Sequence, residues 1–288
     1  MKLITPRYLL VRTQTVESEW LFRESEEAYE VTLRFDQILE EWRGLRGLTS
    51  ELRKFLNRYP WHFDAMNHYA SCKLNEGKTL DAFALAQTAV SLARSAFPSD
   101  FKEGNHQIPG GFVENRPFLR CLYQLMIAQA CINEFLAAIT TGFQMLDYDF
   151  EDRMGARLEL PRYLLKQGFY QKAVELFEDE RFEDTFHSAN YLYPLALLGA
   201  GKEDEAGVAI GDCLSKPRIA KYLLNPHLPE PEPEKPFFGI VSGSDLEGFY
   251  YAHQYRSMWE AVPEALAMLR AQAREAEAQN WPAYFRSE

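Results

Sequence analysis

Four cysteines in 288 residues, at positions 72, 121, 131 and 213, are too few and too far apart for a disulfide framework or a close-paired zinc site. The reading is of reduced thiols packed inside helices. Long apolar runs are also missing. The best stretch, residues 191–198, falls far short of the ~20 residues of a bilayer crossing and is interrupted by Pro194. The opening Met1-Lys2-Leu3-Ile4-Thr5-Pro6-Arg7 breaks any apolar leader at once, so the chain reads as cytoplasmic. Basic charge is in deficit: 31 Lys and Arg stand against 42 Asp and Glu, a formal charge of −11 that sets the long-range field against a polyanion. Nucleic acid and anionic membrane are therefore poor partners. The chain also lacks a Gly-rich phosphate loop, His-Glu-x-x-His, Gly-x-Ser-x-Gly and any supported Cys-His pair, so no catalytic residue, metal ligand or cofactor site is assigned.

What the chain does have is punctuation. Gly77, Gly168 and Gly201 each stand five residues before an alanine (Ala82, Ala173, Ala206), between two apolar helical patterns, and Asn133 stands in the same relation to Ala138. A left-handed Gly or Asn ends one helix, and a small Ala lets the next pack closely. Gly168 to Gly201 is 33 residues and Asn133 to Gly168 is 35. This pattern resembles the tetratricopeptide repeat (TPR) superfamily, of bacterial type. The resemblance implies an all-α, TPR-like superhelical solenoid of antiparallel helix pairs, with helix content above about 60% and almost no sheet.

The expected organisation is one repeat domain over residues 1–288. N-terminal helices fill 1–59, core repeats 60–216, and a Pro-rich loop with a final helix pair 217–288. Helices are predicted over 16–42, 48–59, 61–75 and 80–96, while Tyr8 to Val11 suits a short strand or a docked extended arm. Pro161 and Pro194, 33 residues apart at matching places, predict a kinked or late-starting helix in each case. Ala82 to Ala138 is 56 residues, so about 20 residues are inserted at 97–117. That stretch reads as an ordered, turn-rich loop in which Asn115 and Arg116 are candidates for function, and the plainer alternative is that Asn115 and Pro117 start a helix.

Asn225-Pro226-His227-x-Pro229 leads into an acidic proline run, 229–236, that cannot be helical. Then Ser244-Asp245-Leu246-Glu247 offers a capping box to an aromatic helix. That order, with Tyr251-Ala252 and Trp259 following, resembles the C-terminal region of the suppressor of tumorigenicity 7 family, and Glu114-Asn115-Arg116-Pro117 resembles a broad set of bacterial repeat proteins. Neither resemblance brings chemistry with it. Phe237 and Phe238 are expected to dock on the terminal helices, beside Tyr250, Tyr255 and Trp259. His62 and His68, six apart, are read as structural and on different helix faces. His227 is read as a hydrogen-bonding loop residue, with a functional role as the alternative.

In TPR arrays the first helix of each pair lines the groove. Counting back from the alanines nominates Asn67, Ser71, Arg120, Tyr123, Arg162 and Tyr191, with Tyr250 and Gln254 near the end, as contacts for a protein or peptide partner. Arg and Tyr suit that role because they bury area and donate hydrogen bonds. The same residues could instead pack against neighbouring repeats. The leading reading is a non-enzymatic adaptor that takes a peptide or helix in its concave groove. The alternatives are a small-molecule sensor or helical enzyme with a pocket under the 97–117 loop, and an immunity-type inhibitor that matches a partner enzyme by charge.

Overall fold

A computed structural model of the chain describes residues 7–41, 45–181, 190–215, 217–232 and 240–278. It divides into two compact units, Met1–Tyr163 and Leu164–Glu288. Among the described residues there are 13 α-helices and a single two-stranded sheet.

The first unit opens with β1 (Tyr8–Arg12) and β2 (Trp20–Glu24), antiparallel with Tyr8 opposite Glu24 and Arg12 opposite Trp20. The helix expected over 16–42 is thus only α1 (Glu26–Glu41). Trp20 and Phe22 are buried while Arg23 is exposed, which is strand alternation rather than a helical face. α2 (Leu45–Arg58) pairs with α1, α3 (Phe63–Asn75) with α4 (Thr79–Arg94), and α5 (Arg116–Cys131) with α6 (Phe135–Tyr148). α7 (Ala156–Lys166) contains Pro161 within it, as a first helix should not by ordinary preference.

The second unit carries α8 (Tyr170–Phe177), α9 (Tyr193–Gly199), α10 (Glu203–Leu214), α11 (Arg218–Leu224), α12 (Asp245–Glu260) and α13 (Pro263–Ala278). Pro194 sits in the first turn of α9, so that helix does start late. α9 packs closely on α8: a Cβ at Gly199 would stand 2.2 Å from Tyr170 Cδ1. Ser244 caps α12 by accepting from Glu247 N at 3.1 Å, and Glu247 Oε2 returns to accept from Gly243 N at 2.5 Å. The described part of the acidic run, 229–232, is non-helical. The docking of Phe237 and Phe238 lies outside the described residues.

The repeat closure recurs four times with one geometry. Gly77, Asn133, Gly168 and Gly201 have φ of 74°, 65°, 71° and 77°. Gly77 N donates to Leu74 O and Lys78 N to Lys73 O, both at 2.9 Å. The same pair of bonds recurs at 133–134, 168–169 and 201–202. These are Schellman closures, which satisfy the last carbonyls of one helix while turning the chain into the next. Ala82, Ala138, Ala173 and Ala206 are all 0% exposed.

The 97–117 stretch is ordered. It forms a bridge to the strand hairpin, with Gln107 N donating to Ser18 O at 2.8 Å and Trp20 N to Gln107 O at 2.9 Å. Asn115, fully buried, is the knot: its Oδ1 accepts from Phe22 N at 2.9 Å, and its Nδ2 donates to Trp20 O at 2.9 Å and to Pro109 O at 3.0 Å. Phe97 and Phe101 of this stretch pack ring against ring with Phe118 and Tyr148. Of the thiols, Cys72, Cys121 and Cys213 are buried as expected, whereas Cys131 at the end of α5 is exposed. Burial raises the three buried thiols above the ordinary range and keeps them unreactive.

At Gly77 an added Cβ would meet nothing within 4 Å, so a substitution there isolates the backbone requirement. Gly77→Ala is expected to cost about 1 kcal/mol in urea unfolding, from left-handed strain partly offset by a stiffer unfolded chain. Unchanged stability would show that the closure does not depend on the left-handed residue.

Candidate partner-binding face

α1, α3 and α5 are the first helices of three successive pairs, and α7 follows them in the same role. An ion pair joins α3 to α5: Arg120 Nη2 lies 2.7 Å from Asp64 Oδ2 and its Nε 3.3 Å from Oδ1. Such a two-pronged pair fixes register as well as charge. On α1, Asp36 faces this pair, and its carboxyl is held above the usual range by desolvation and then by the Asp64 and Glu40 charges. Toward α7, Tyr123 Oη donates to Glu159 at 3.5 Å, and Glu159 in turn pairs with Arg162. The face therefore carries Asp36, Asp64 and Glu159 against Arg120 and Arg162, an excess of negative charge.

One turn along α3 from Asp64 stands Asn67, more than nine-tenths buried, whose Oδ1 accepts no hydrogen bond. One turn along α5 from Arg120 stands Gln124, whose buried Nε2 donates none. Each such unmet group costs about 1–3 kcal/mol. An unfilled acceptor thus stands one turn from Asp64 on α3, and an unfilled donor one turn from Arg120 on α5. An N–H with a C=O beside it would satisfy both.

Behind this face lies a proton-ordered chain. Ala65 N donates to His62 Nδ1 at 3.1 Å, so Nδ1 is bare and Nε2 carries the proton. His62 Nε2 then donates to Thr32 Oγ1 at 3.2 Å, and Thr32 Oγ1 donates to Glu24 Oε1 at 2.8 Å. His62 is the N-cap of α3 rather than a residue within it. For that reason His62 and His68 do not diverge as their spacing suggested. Both rings flank Phe35, at centroid distances of 5.0 and 5.4 Å. Their structural reading fits these contacts, and no group that could hold a metal ion occurs among the described residues.

The nominated residues separate into those the fold gathers and those it does not. Asn67, Ser71, Arg120, Tyr123 and Arg162 lie together on the α3, α5 and α7 faces, all buried or half-buried. Both arginines have carboxylate partners already. Tyr191 is withdrawn into the core of the second unit, 1% exposed, with its hydroxyl donating to Cys213 O at 3.0 Å and its ring against Tyr251 and Trp259. Tyr250 is exposed and donates to Glu230 at 2.7 Å; Gln254 and His227 are exposed. Asn115 is the structural knot described above, and Arg116 Nε donates to Gly110 O at 3.1 Å in support of the same loop. Sequence reasoning passed over Asp64, Gln124 and Glu159. Only the position of Asp64 three residues before Asn67 and of Gln124 four after Arg120 could have signalled them.

A family model described as Transcriptional repressor TCF25 matches residues 20–276. It lends no support to the likeness of the last quarter to the suppressor of tumorigenicity 7 family. No curated protein matches the chain. Among solved structures, a MamA protein is 19% identical over 70% of this chain and 100% of its own, with a TM-score of 0.48. A Podosopora anserina chain of nearly identical TPR-like repeats is 17% identical over 77% of this chain and 99% of its own, with a TM-score of 0.42.

Burial lowers the His62 pKa from 6.5 to about 4. A depressed folded-state value means that its stabilising effect is complete above 6.5 and lost as pH falls from 6.5 towards 4, about 3 kcal/mol in all. His62→Asn keeps an N-cap acceptor but cannot titrate there. The fall in unfolding free energy between pH 7.5 and pH 4 should be smaller in the variant than in the wild type by about that amount. Equal pH dependence in denaturant melts would contradict the buried, neutral imidazole.

Proposed function

The chain belongs to the Transcriptional repressor TCF25 family, and from that premise and the geometry of the α3–α5 face we propose that it is a non-enzymatic adaptor. Its ligand is an extended or helical segment of a protein partner, laid across the first helices of the N-terminal unit. The single observation that carries this reading is the unmet Asn67 Oδ1 on α3 and Gln124 Nε2 on α5, an acceptor and a donor without hydrogen-bond partners, each one turn from the Asp64–Arg120 pair that joins the two helices. A peptide group supplies both complements when the two side chains turn out of the packed face.

The sign of the charge supports a partner segment of basic character. Asp36, Asp64 and Glu159 outnumber the two arginines, and the whole chain carries −11, so an approaching Lys or Arg side chain gains both steering and contact energy. The family description speaks of transcriptional repression. On a chain with this charge, such a role runs through protein partners rather than through the phosphate backbone. No described helix is long and apolar enough to cross a membrane.

Replacing Arg120 and Arg162 by Glu is an ambiguous test, because each new carboxylate would oppose Asp64 or Glu159 and lower stability. Asn67→Ala with Gln124→Ala is cleaner, since it removes two unsatisfied groups and should leave stability level or improved. On an array of matched peptides the wild type should favour Lys- and Arg-rich sequences. The double variant should lose that binding by about tenfold or more while melting no lower than wild type. Equal capture of acidic and basic peptides, or undiminished binding by the double variant, would overturn the reading.

A further inference from the structure

The Asn225-Pro226-His227-x-Pro229 motif has no part in the N-terminal face, yet it walls a cavity within the second unit. Asn225 ends α11 by donating its backbone N and its side-chain Nδ2 to Lys221 O, at 3.1 and 2.9 Å. Close by, α12 approaches α11 so tightly that a Cβ on Gly248 would stand 2.6 Å from Arg218 O. Between the loop and α12 lies a cavity of about 240 Å³, whose lining includes Tyr222, Asn225, Leu228, Phe249, His253 and Arg256. Phe249 meets Tyr222 edge-on at 5.9 Å and stacks with His253 at 6.4 Å, so the ring walls brace one another.

Arg256 is the unusual member. It is half-buried, and its Nη2 donates to Tyr222 O. Among the described residues no carboxylate lies within ion-pair distance of it, and burial pulls its pKa below the ordinary value against only the opposing influence of Glu260. By contrast, Arg120 and Arg162 on the N-terminal face each have a carboxylate beside them. A guanidinium has five N–H donors in a planar fork, and one backbone carbonyl uses a single prong. A desolvated cation without its counter-charge is costly, and it stands here at the wall of a cavity that could admit one.

We infer that this cavity binds a carboxylate carried on a single ring-sized or side-chain-sized apolar group. The carboxylate would sit on Arg256 and the remaining Asn225 N–H, with the apolar part against Tyr222, Leu228 and Phe249. Three features fix the chemistry. The guanidinium fork matches a carboxylate two-for-two. The volume lies below the range of drug-sized ligand pockets and so suits one residue-sized acid. The chain's negative charge disfavours a dianion such as phosphate more than a monoanion. The site is separate from the peptide-binding reading of the first unit and stands or falls without it.

The group could arrive as a free small acid or as the carboxyl end of a peptide. Titration of the full chain with phenylacetate, phenylacetamide, and a short peptide ending in Phe as free acid or as amide separates these sources. Phenylacetate should saturate one site, and phenylacetamide should bind roughly ten- to a hundredfold more weakly. A free-acid peptide that binds more tightly than phenylacetate identifies a chain end as the ligand, whereas exclusion of the peptide identifies a small acid. Arg256→Gln should lose the same factor, and Leu228→Trp, which fills the cavity and leaves the charge, should abolish binding even if the Gln variant does not fold. Absence of saturable binding by both acids, equal binding of phenylacetamide, or full binding by the Trp variant would overturn the assignment.

Discussion

Four helices among the described residues stop and reverse within three residues, and each does so because one residue accepts a left-handed backbone. Gly77, Asn133, Gly168 and Gly201 supply it, and the paired hydrogen bonds around each satisfy carbonyls that would otherwise face the next helix unpaired. Five residues later a buried alanine brings the second helix into contact. In the first unit this sets the first helices of successive pairs against one another, with α3 packed on α5. The Asp64–Arg120 pair follows from that placement, although the two residues are 56 positions apart in sequence.

The same logic explains what was legible in the sequence. Closure residues and their alanines are local, so the helix pairs, the capping box at Ser244 and the late start at Pro194 could be read directly. The hairpin could not. Trp20 and Phe22 alternate over only five residues, and Trp20 also falls in helical phase with Ala28, Val31 and Phe35, so the longer period absorbed the shorter one. What pulls residues 20–24 into a strand is distant: Gln107 and Asn115 from the inserted loop satisfy their backbone groups. The loop was visible as an insertion, but its task as a clamp on the hairpin needed the fold.

On the α3–α5 face, counting from the alanines found one side of each side-chain pairing. Asn67, Arg120, Tyr123 and Arg162 were named, while Asp64, Gln124 and Glu159, which complete the arrangement, come from neighbouring repeats or neighbouring turns. Tyr191 shows where that counting fails. In a repeat whose first helix begins late at Pro194, the residue in the contact position turns inward and becomes core. His62 and His68 show the same limit, because a cap residue does not follow the angular spacing of the helix it starts.

The proposed docking surface is the first-helix face rather than the face made by the second helices. Photo-crosslinking tests this directly, with a benzophenone amino acid placed at Ser71 on α3 or, as its control, at the exposed Thr88 on α4. In the presence of a basic partner peptide, position 71 should form the cross-link and position 88 should not. Cross-linking from position 88 alone, or equally from both, would contradict the account.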